Sequence, residues 1–227
     1  MIDTVASGFD VFGLDPLVSR AIQDAGYTQP TPVQEATIPR FKNGIDLLVQ
    51  AQTGTGKTAA FGIPIVEKMD LARSGVQALV LAPTRELALQ IGQELTRLAR
   101  HRGVNVCTAY GGAPIRPQIE ALPTSAIVVG TPGRILDLMR RGNLDLKRVS
   151  ILVLDEADRM FDMGFLPEVE QIIRQTPRSR QTGLFSATIT TLVKRLAARY
   201  MRNAETISIT PEERTVSSVR QRYYEVA

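Results

Sequence analysis

The sequence has 227 residues, 44% of them hydrophobic and 22% charged, with a formal net charge of +4. That is an ordinary globular composition, long enough to bury one large core, and it excludes a disordered or fibrous chain. No apolar run reaches the ~18–20 residues of a membrane span, no secretory leader is expected at the start, and a single cysteine excludes an internal disulfide or a multi-cysteine zinc site.

In chain order, residues 16–25 read as a short helix with Gly26 as its expected C-cap. Gln29-Pro30-Thr31-Pro32 is a rigid non-helical turn, and a second helix starts near Val33. This stretch, 1–45, reads as a separate unit packed on the core. From there, apolar β-branched runs at 47–51, 78–82, 104–109, 126–130, 151–155, 182–186 and 206–209 alternate with helical stretches at 57–69, 85–100, 134–140 and 192–200. Cys107, in the third run, is expected to be a small buried hydrophobe in a reducing, cytoplasmic compartment. His101, the only histidine, reads as a solvated helix end in a basic stretch.

Strands buried on both faces and alternating with helices define an α/β fold. The expectation is a mostly parallel twisted sheet of about seven strands with helices on both faces. Ligands on such sheets sit at the carboxyl ends of the strands, where the motifs of this sequence fall. Charge is unevenly spread: residues 1–50 carry six acidic and three basic side chains, residues 85–148 ten basic and five acidic. That asymmetry fits either a solvated surface or a polyanion site.

Ala51-Gln52-Thr53-Gly54-Thr55-Gly56-Lys57-Thr58 follows a strand and opens a helix, the context a P-loop requires, with Ala in place of the first Gly. Gly54 and Gly56 let backbone N–H groups turn inward on a phosphate, and the helix adds the positive end of its dipole. Lys57 is placed for the β- and γ-phosphates of ATP, and Thr58 for magnesium through its hydroxyl. Four apolar residues, Ile151 to Leu154, then deliver Asp155 and Glu156 to a strand end. Asp155 is placed to hold magnesium, partly through water, and Glu156 to orient and deprotonate an attacking water. Either carboxylate alone reads equally well as a helix cap; beside a P-loop the metal and base roles take precedence.

Asp155-Glu156-Ala157-Asp158 also carries a resemblance. With the motifs around it, the chain from Phe9 to about Ile209 resembles the first RecA-like domain of a DEAD-box RNA helicase. Phe9 and the segment Gly26 to Gln34 resemble the Q motif of that family. The resemblance implies that Gln34 reads the adenine edge, with Phe9 stacking on the base and Gln29 in contact nearby. Pro83-Thr84-Arg85, Gly111-Gly112 and Thr131-Pro132-Gly133-Arg134 resemble the elements that hold single-stranded RNA by its backbone. Hydroxyls, backbone N–H groups and helix N-termini suit that task. Each also reads as a plain helix cap, and Arg134 as a surface residue or a partner of Glu86. Ser186-Ala187-Thr188 resembles the motif that couples hydrolysis to strand separation, with Asp158 linking to its hydroxyls.

The resemblance implies residues 46–210 as a first RecA-like domain. It makes 211–227 a linker and the start of a second RecA-like domain, missing from this chain, that would supply arginine fingers and further RNA contacts. An arginine finger is worth about 10³–10⁵ in rate in related systems, so the chain alone is expected to bind nucleotide and turn over poorly. Two other readings stay open: a non-catalytic clamp that uses ATP only to hold RNA or protein, and another P-loop ATPase such as a DNA helicase.

Overall fold

In the computed structural model, residues 8–209 are described. Residues 1–7 and 210–227, the latter with the linker and second-domain start expected there, lie outside the described residues. The elements in chain order are α1 (Pro16–Asp24), α2 (Pro32–Lys42), β1 (Leu47–Gln50), α3 (Lys57–Lys68), β2 (Ala78–Leu81), α4 (Arg85–Ala99), β3 (Val106–Ala109), α5 (Ile115–Ala121), β4 (Ile127–Gly130), α6 (Pro132–Arg140), β5 (Ile151–Leu154), α7 (Ala157–Asp162), α8 (Leu166–Gln175), β6 (Gln181–Ser186), α9 (Thr191–Tyr200) and β7 (Glu205–Ser208).

The strands form one sheet in the order β3-β4-β2-β5-β6-β1-β7. Every pairing in it is parallel, so all carboxyl ends share one edge. The two faces sort by strand alternation. Leu47, Val49, Ala78, Val80, Ile151 and Val153 face one core, under α1 to α4. Leu48, Leu79, Leu81, Leu152 and Leu154 face the other, under α6 to α9. Period-two alternation within runs that are apolar throughout is what a sheet covered on both sides requires.

The N-terminal stretch joins the first of these cores. Phe9, Val18, Ile22, Val33 and Phe41 share it with Val49 and Phe185. Asp15 caps α1 through the Leu17 N–H at 2.8 Å, and Gly26, with φ 81°, turns the chain beyond it. The Tyr27 hydroxyl donates to Glu94 on α4 at 2.8 Å, fixing the stretch to the core helices. Burial lifts that phenol well above its usual range, and the Glu94 hydrogen bond adds to the rise.

His101 is not simply solvated: its Nε2 lies 2.6 Å from Asp24 Oδ2, tying the end of α4 to α1. Asp24 is 77 residues away in the chain, so local sequence could not reveal the pair. Cys107 is a buried, free thiol on β3, and burial pushes it up to about 11.

Candidate functional site

The carboxyl edge divides in two. The ends of β1, β6 and β5 carry Gln52 to Thr58, Ser186 to Thr188 and Asp155 to Asp158. The ends of β2, β4 and β3 carry Pro83 to Arg85, Thr131 to Arg134 and Gly111-Gly112. The strand order makes β5 the boundary, with β6 on one side and β2 on the other.

In the first half, the chain leaves β1 and turns through Gly54 (φ 82°) and Gly56 (φ 94°) into α3. Gln52, Thr53 and Gly54 are exposed, while Thr55, Gly56 and Thr58 are half-buried. Thr55 closes the turn by donating to Gln52 O at 2.7 Å. Gly56 is needed twice over. Its φ is left-handed, and a Cβ there would meet Gln34 Nε2 at 2.5 Å. Lys57 is 6% exposed, and its Nζ donates to Ala51 O at 2.9 Å, so the ammonium sits inside the curl of the loop.

Asp155 is 2% exposed and accepts the Glu156 N–H at 3.0 Å. Burial pushes its carboxyl up to about 6. Lys57 and the Glu156 N–H oppose the rise, and the neighbouring Glu156 and Asp158 charges add to it. A buried carboxylate near an ammonium, at the mouth of a phosphate loop, is a fitting donor for a divalent cation. Among the described residues no three His, Cys, Asp or Glu side chains form a metal cage. Magnesium held by one or two carboxylates and substrate phosphates needs none.

Glu156 has φ 51°, a conformation that costs a non-glycine residue about 1–3 kcal/mol and persists only where its surroundings enforce it. The strain turns its carboxylate back to the phosphate loop. Oε1 accepts from Thr53 Oγ1 at 3.3 Å, and Oε2 pairs with Arg159 at 3.2 Å. Asp158 turns the other way. Its Oδ2 accepts from Thr188 N at 2.8 Å and Thr188 Oγ1 at 2.7 Å, while its own N–H donates to Ser186 Oγ at 3.2 Å. These bonds hold the carboxyl below its ordinary value although burial works against them.

Gln34 is 1% exposed. Its Oε1 takes the Thr31 N–H at 2.9 Å and its Nε2 donates to Gly56 O at 3.2 Å, so it ties the proline-rich turn to the phosphate loop. Gln29 is exposed beside Gly8. Phe9 is 1% exposed, edge-on to Phe12 and Tyr27 with ring centroids 5.9 and 6.0 Å apart. In this arrangement its ring anchors the N-terminal stretch in the core, and stacking on a base requires it to be uncovered.

In the second half, Thr84 caps α4 through Leu87 N at 3.3 Å. Pro83 is buried behind it, and Arg85 is exposed. The Arg85 guanidinium lies over the Tyr110 ring, 5.0 Å from its centroid. Gly111 and Gly112 are exposed after Tyr110, and Gly133 stands open on the first turn of α6 beyond Thr131 and Pro132. Arg134 is neither a free surface cation nor a partner of Glu86. It donates to Gln118 Oε1 at 2.8 Å and Ala113 O at 3.1 Å, bracing the double-glycine turn. Gln118 also bonds the Tyr110 backbone on both sides, at 3.2 and 3.3 Å. Sequence reading passed over Tyr110 and Gln118. An aromatic directly before two glycines is a usable signal for the first; a glutamine inside a short helix offers none for the second.

A strand–P-loop–helix unit with an acidic pair two sheet positions away defines a nucleotide-binding P-loop domain of RecA-like architecture. The family model for DEAD/DEAH box helicases matches residues 31–196, and the chain belongs to that family. The chain is 48% identical over 219 residues to a DEAD-box ATP-dependent RNA helicase CshA of Geobacillus kaustophilus, covering 96% of this chain and 47% of that one. It is 47% identical to an ATP-dependent RNA helicase CshA of Listeria monocytogenes, covering 96% of this chain and 42% of that one. The chain thus spans about half the length of the curated relatives it matches. Its fold superimposes on the crystal structure of a DEAD box protein from Methanococcus jannaschii with a TM-score of 0.85 at 42% identity, over 88% of this chain and 55% of that one.

Proposed function

We propose that this chain is the ATP-binding first domain of an ATP-dependent RNA helicase that remodels or locally unwinds RNA in the cytoplasm. Residues 46–210 form the domain, 1–45 carry the adenine-reading segment, and 211–227 lead towards a second RecA-like domain. The observation that carries the reading is the two-way bonding of the acidic tetrapeptide: Glu156 reaches Thr53 of the phosphate loop while Asp158 reaches Thr188 at the end of β6.

ATP is the substrate in this reading. Backbone N–H groups from Thr53 to Thr58 cradle its phosphates, and Lys57 leaves Ala51 O for the β- and γ-phosphates. Asp155 and Thr58 hold magnesium, which when bound supplies charge neutralisation for the transferring phosphoryl group. Glu156, aimed at the loop by its strained backbone, orients the attacking water and takes its proton. Gln34 presents an amide to the adenine edge, for which it must exchange its bonds to Thr31 and Gly56. Gln29 and an uncovered Phe9 complete the base pocket. Single-stranded RNA lies along the other half of the edge, held by Pro83, Thr84, Arg85, Gly111, Gly112, Thr131, Pro132 and Gly133, with Arg134 bracing the turn from behind. Asp158, Ser186 and Thr188 relay between the halves.

The test is calorimetric titration with magnesium-ADP and magnesium-GDP, wild type beside Gln34→Ala, together with RNA-stimulated ATPase of the intact protein beside Glu156→Gln. The reading expects clear preference for ADP that Gln34→Ala erases. It also expects turnover to fall by about 10²–10⁴ in Glu156→Gln while RNA and nucleotide still bind. Equal binding of both nucleotides withdraws the adenine-reading roles. Full function retained in Glu156→Gln makes the protein a clamp.

A further inference from the structure

The amino edge of the sheet, opposite the edge described so far, carries an open cleft of about 630 Å³ walled by five arginines, Arg174, Arg178, Arg180, Arg199 and Arg202, around Tyr200. Arg180 immediately precedes β6. The Arg202 N–H donates at 2.7 Å to Asp46, the residue before β1. Because the strands are parallel, the six residues of β6 put this cleft about 20 Å from the Ser186 end.

Helix dipoles account for two of these cations. Arg174 and Arg199 lie in the last turns of α8 and α9, where positive charge is favoured, and both pair with Glu170, at 2.9 and 3.0 Å. They do not account for Arg178, Arg180 and Arg202, which sit in loops and form no ion pair among the described residues. Arg180 is 5% exposed with its Nε buried and unbonded. Its other nitrogens hold Pro177 O at 3.0 Å and Tyr200 O at 3.2 Å, shaping the wall. Asp46 acts on Arg180 through its charge but spends both oxygens on the N–H groups of Thr182 and Arg202. Burying a guanidinium among its own kind without a carboxylate is costly unless an anion arrives.

The positive strip continues. Arg174 is shared with a neighbouring cleft between α6 and α8 that Arg140 and Lys147 also line, against a single acid, Asp145. A string of cations along a groove suits a repeating polyanion better than one small ion. The walls are guanidiniums, whose planar donor forks match phosphate oxygens.

We propose that this amino-edge groove is a second, sequence-independent site for RNA backbone phosphates. It would hold a flanking stretch of a strand whose other part lies on the carboxyl edge. This rests on the RNA-binding reading above. It requires the RNA to be long enough to pass from one edge to the other, so it acts only on long substrates.

The experiment uses the intact protein with magnesium and a non-hydrolysable ATP analogue. Fluorescence anisotropy follows labelled single-stranded RNA of about 8 nucleotides, within the footprint of one groove, and of about 30 nucleotides. Arg174→Gln combined with Arg178→Gln changes only exposed side chains. It is expected to weaken the long RNA severalfold, to make its log–log salt slope shallower by about 1 to 1.5, and to leave the short RNA and the nucleotide unchanged. Arg85→Gln, on the carboxyl edge, should weaken both lengths. Unchanged binding of the long RNA in the double variant, with Arg85→Gln still harmful, overturns this site and leaves the main RNA site standing. Failure of the wild type to bind either RNA overturns both readings. Poly-glutamate that binds the wild type more tightly than RNA of equal charge, and loses that advantage in the double variant, assigns the groove to an acidic peptide and overturns the RNA assignment.

Discussion

Asp155→Asn should make the metal-free protein more stable while weakening its grip on magnesium-nucleotide. The carboxyl is 2% exposed, and its burial, only partly answered by Lys57, pushes it up to about 6 from an ordinary 3.8. Between those values the folded chain holds more protons than the unfolded chain, so stability falls as pH rises through the window. Below about 3.8 the cost is absent; above about 6 it is fully present, about 3 kcal/mol. Asparagine keeps an oxygen for the Glu156 N–H and carries no charge. The variant should therefore gain about 3 kcal/mol near pH 8, about 6–12 °C in melting temperature for a chain of this size, and almost nothing near pH 4. Saturating magnesium-ADP should reverse the order. At a hundredfold excess over the dissociation constant the wild type gains about 2.7 kcal/mol, and a variant without its metal ligand gains less. Thermal melts in EDTA from about pH 4 to 8, repeated with magnesium-ADP, measure both effects. A variant no more stable than wild type near pH 8, or one equally stabilised at both ends of the range, refutes the buried-charge argument.

Gly56→Ala is expected to cost about 1–3 kcal/mol from its left-handed backbone and to push Gln34 off Gly56 O, with ADP affinity falling at least tenfold by titration calorimetry. Thr188→Val removes one hydroxyl bond to a carboxylate, worth about 1.5–3 kcal/mol. It should cut unwinding by the intact protein roughly 10- to 100-fold while leaving ADP affinity unchanged; equal losses in both assays would count against a relay. Asp46→Ala leaves the N–H groups of Thr182 and Arg202 unpaired and should lower unfolding stability in urea by about 2–4 kcal/mol, without altering nucleotide preference.

What the sequence made legible follows from the range of each interaction. The strands could be read within a residue or two because the central ones, such as β2, β4 and β5, are buried along their whole length. Ends drifted by a residue or two: the third strand, expected from 104, begins at Val106, just after Asn105, whose carbonyl is shared by the Ala126 and Ile127 N–H groups at 3.1 and 3.3 Å. The helix α8 was not among the expected helices; it opens on Leu166-Pro167, and proline in a first turn starts helices readily. The phosphate loop was legible since its glycines, lysine and threonine act within eight consecutive residues. The partners of Arg134, Arg85 and His101 were not, because Gln118, Tyr110 and Asp24 reach them only through the fold. The burial of Phe9 was not legible for the same reason: its neighbours Phe12 and Tyr27 close over it only in three dimensions.

In the proposed function, strand order, invisible in the sequence, is what joins the two halves of the carboxyl edge into one device. Because β5 lies between β2 and β6, the tetrapeptide at its end is bonded on both sides. The Asp155 N–H donates to Leu81 O on β2 at 2.9 Å, two residues before Pro83. Asp158 reaches Ser186 and Thr188 beyond β6. Glu156, between them, is held at φ 51° and bonded to the phosphate loop, so a change in what fills that loop acts on a residue whose backbone stores energy. A contiguous bonded path through a strained element is the physical form that coupling between sites takes in a packed protein. Linkage then fixes the consequence: whatever factor bound RNA adds to nucleotide affinity, bound nucleotide must add to RNA affinity. A β5 at the edge of the sheet would have lacked one of these neighbours, and the same motifs would have made two independent sites.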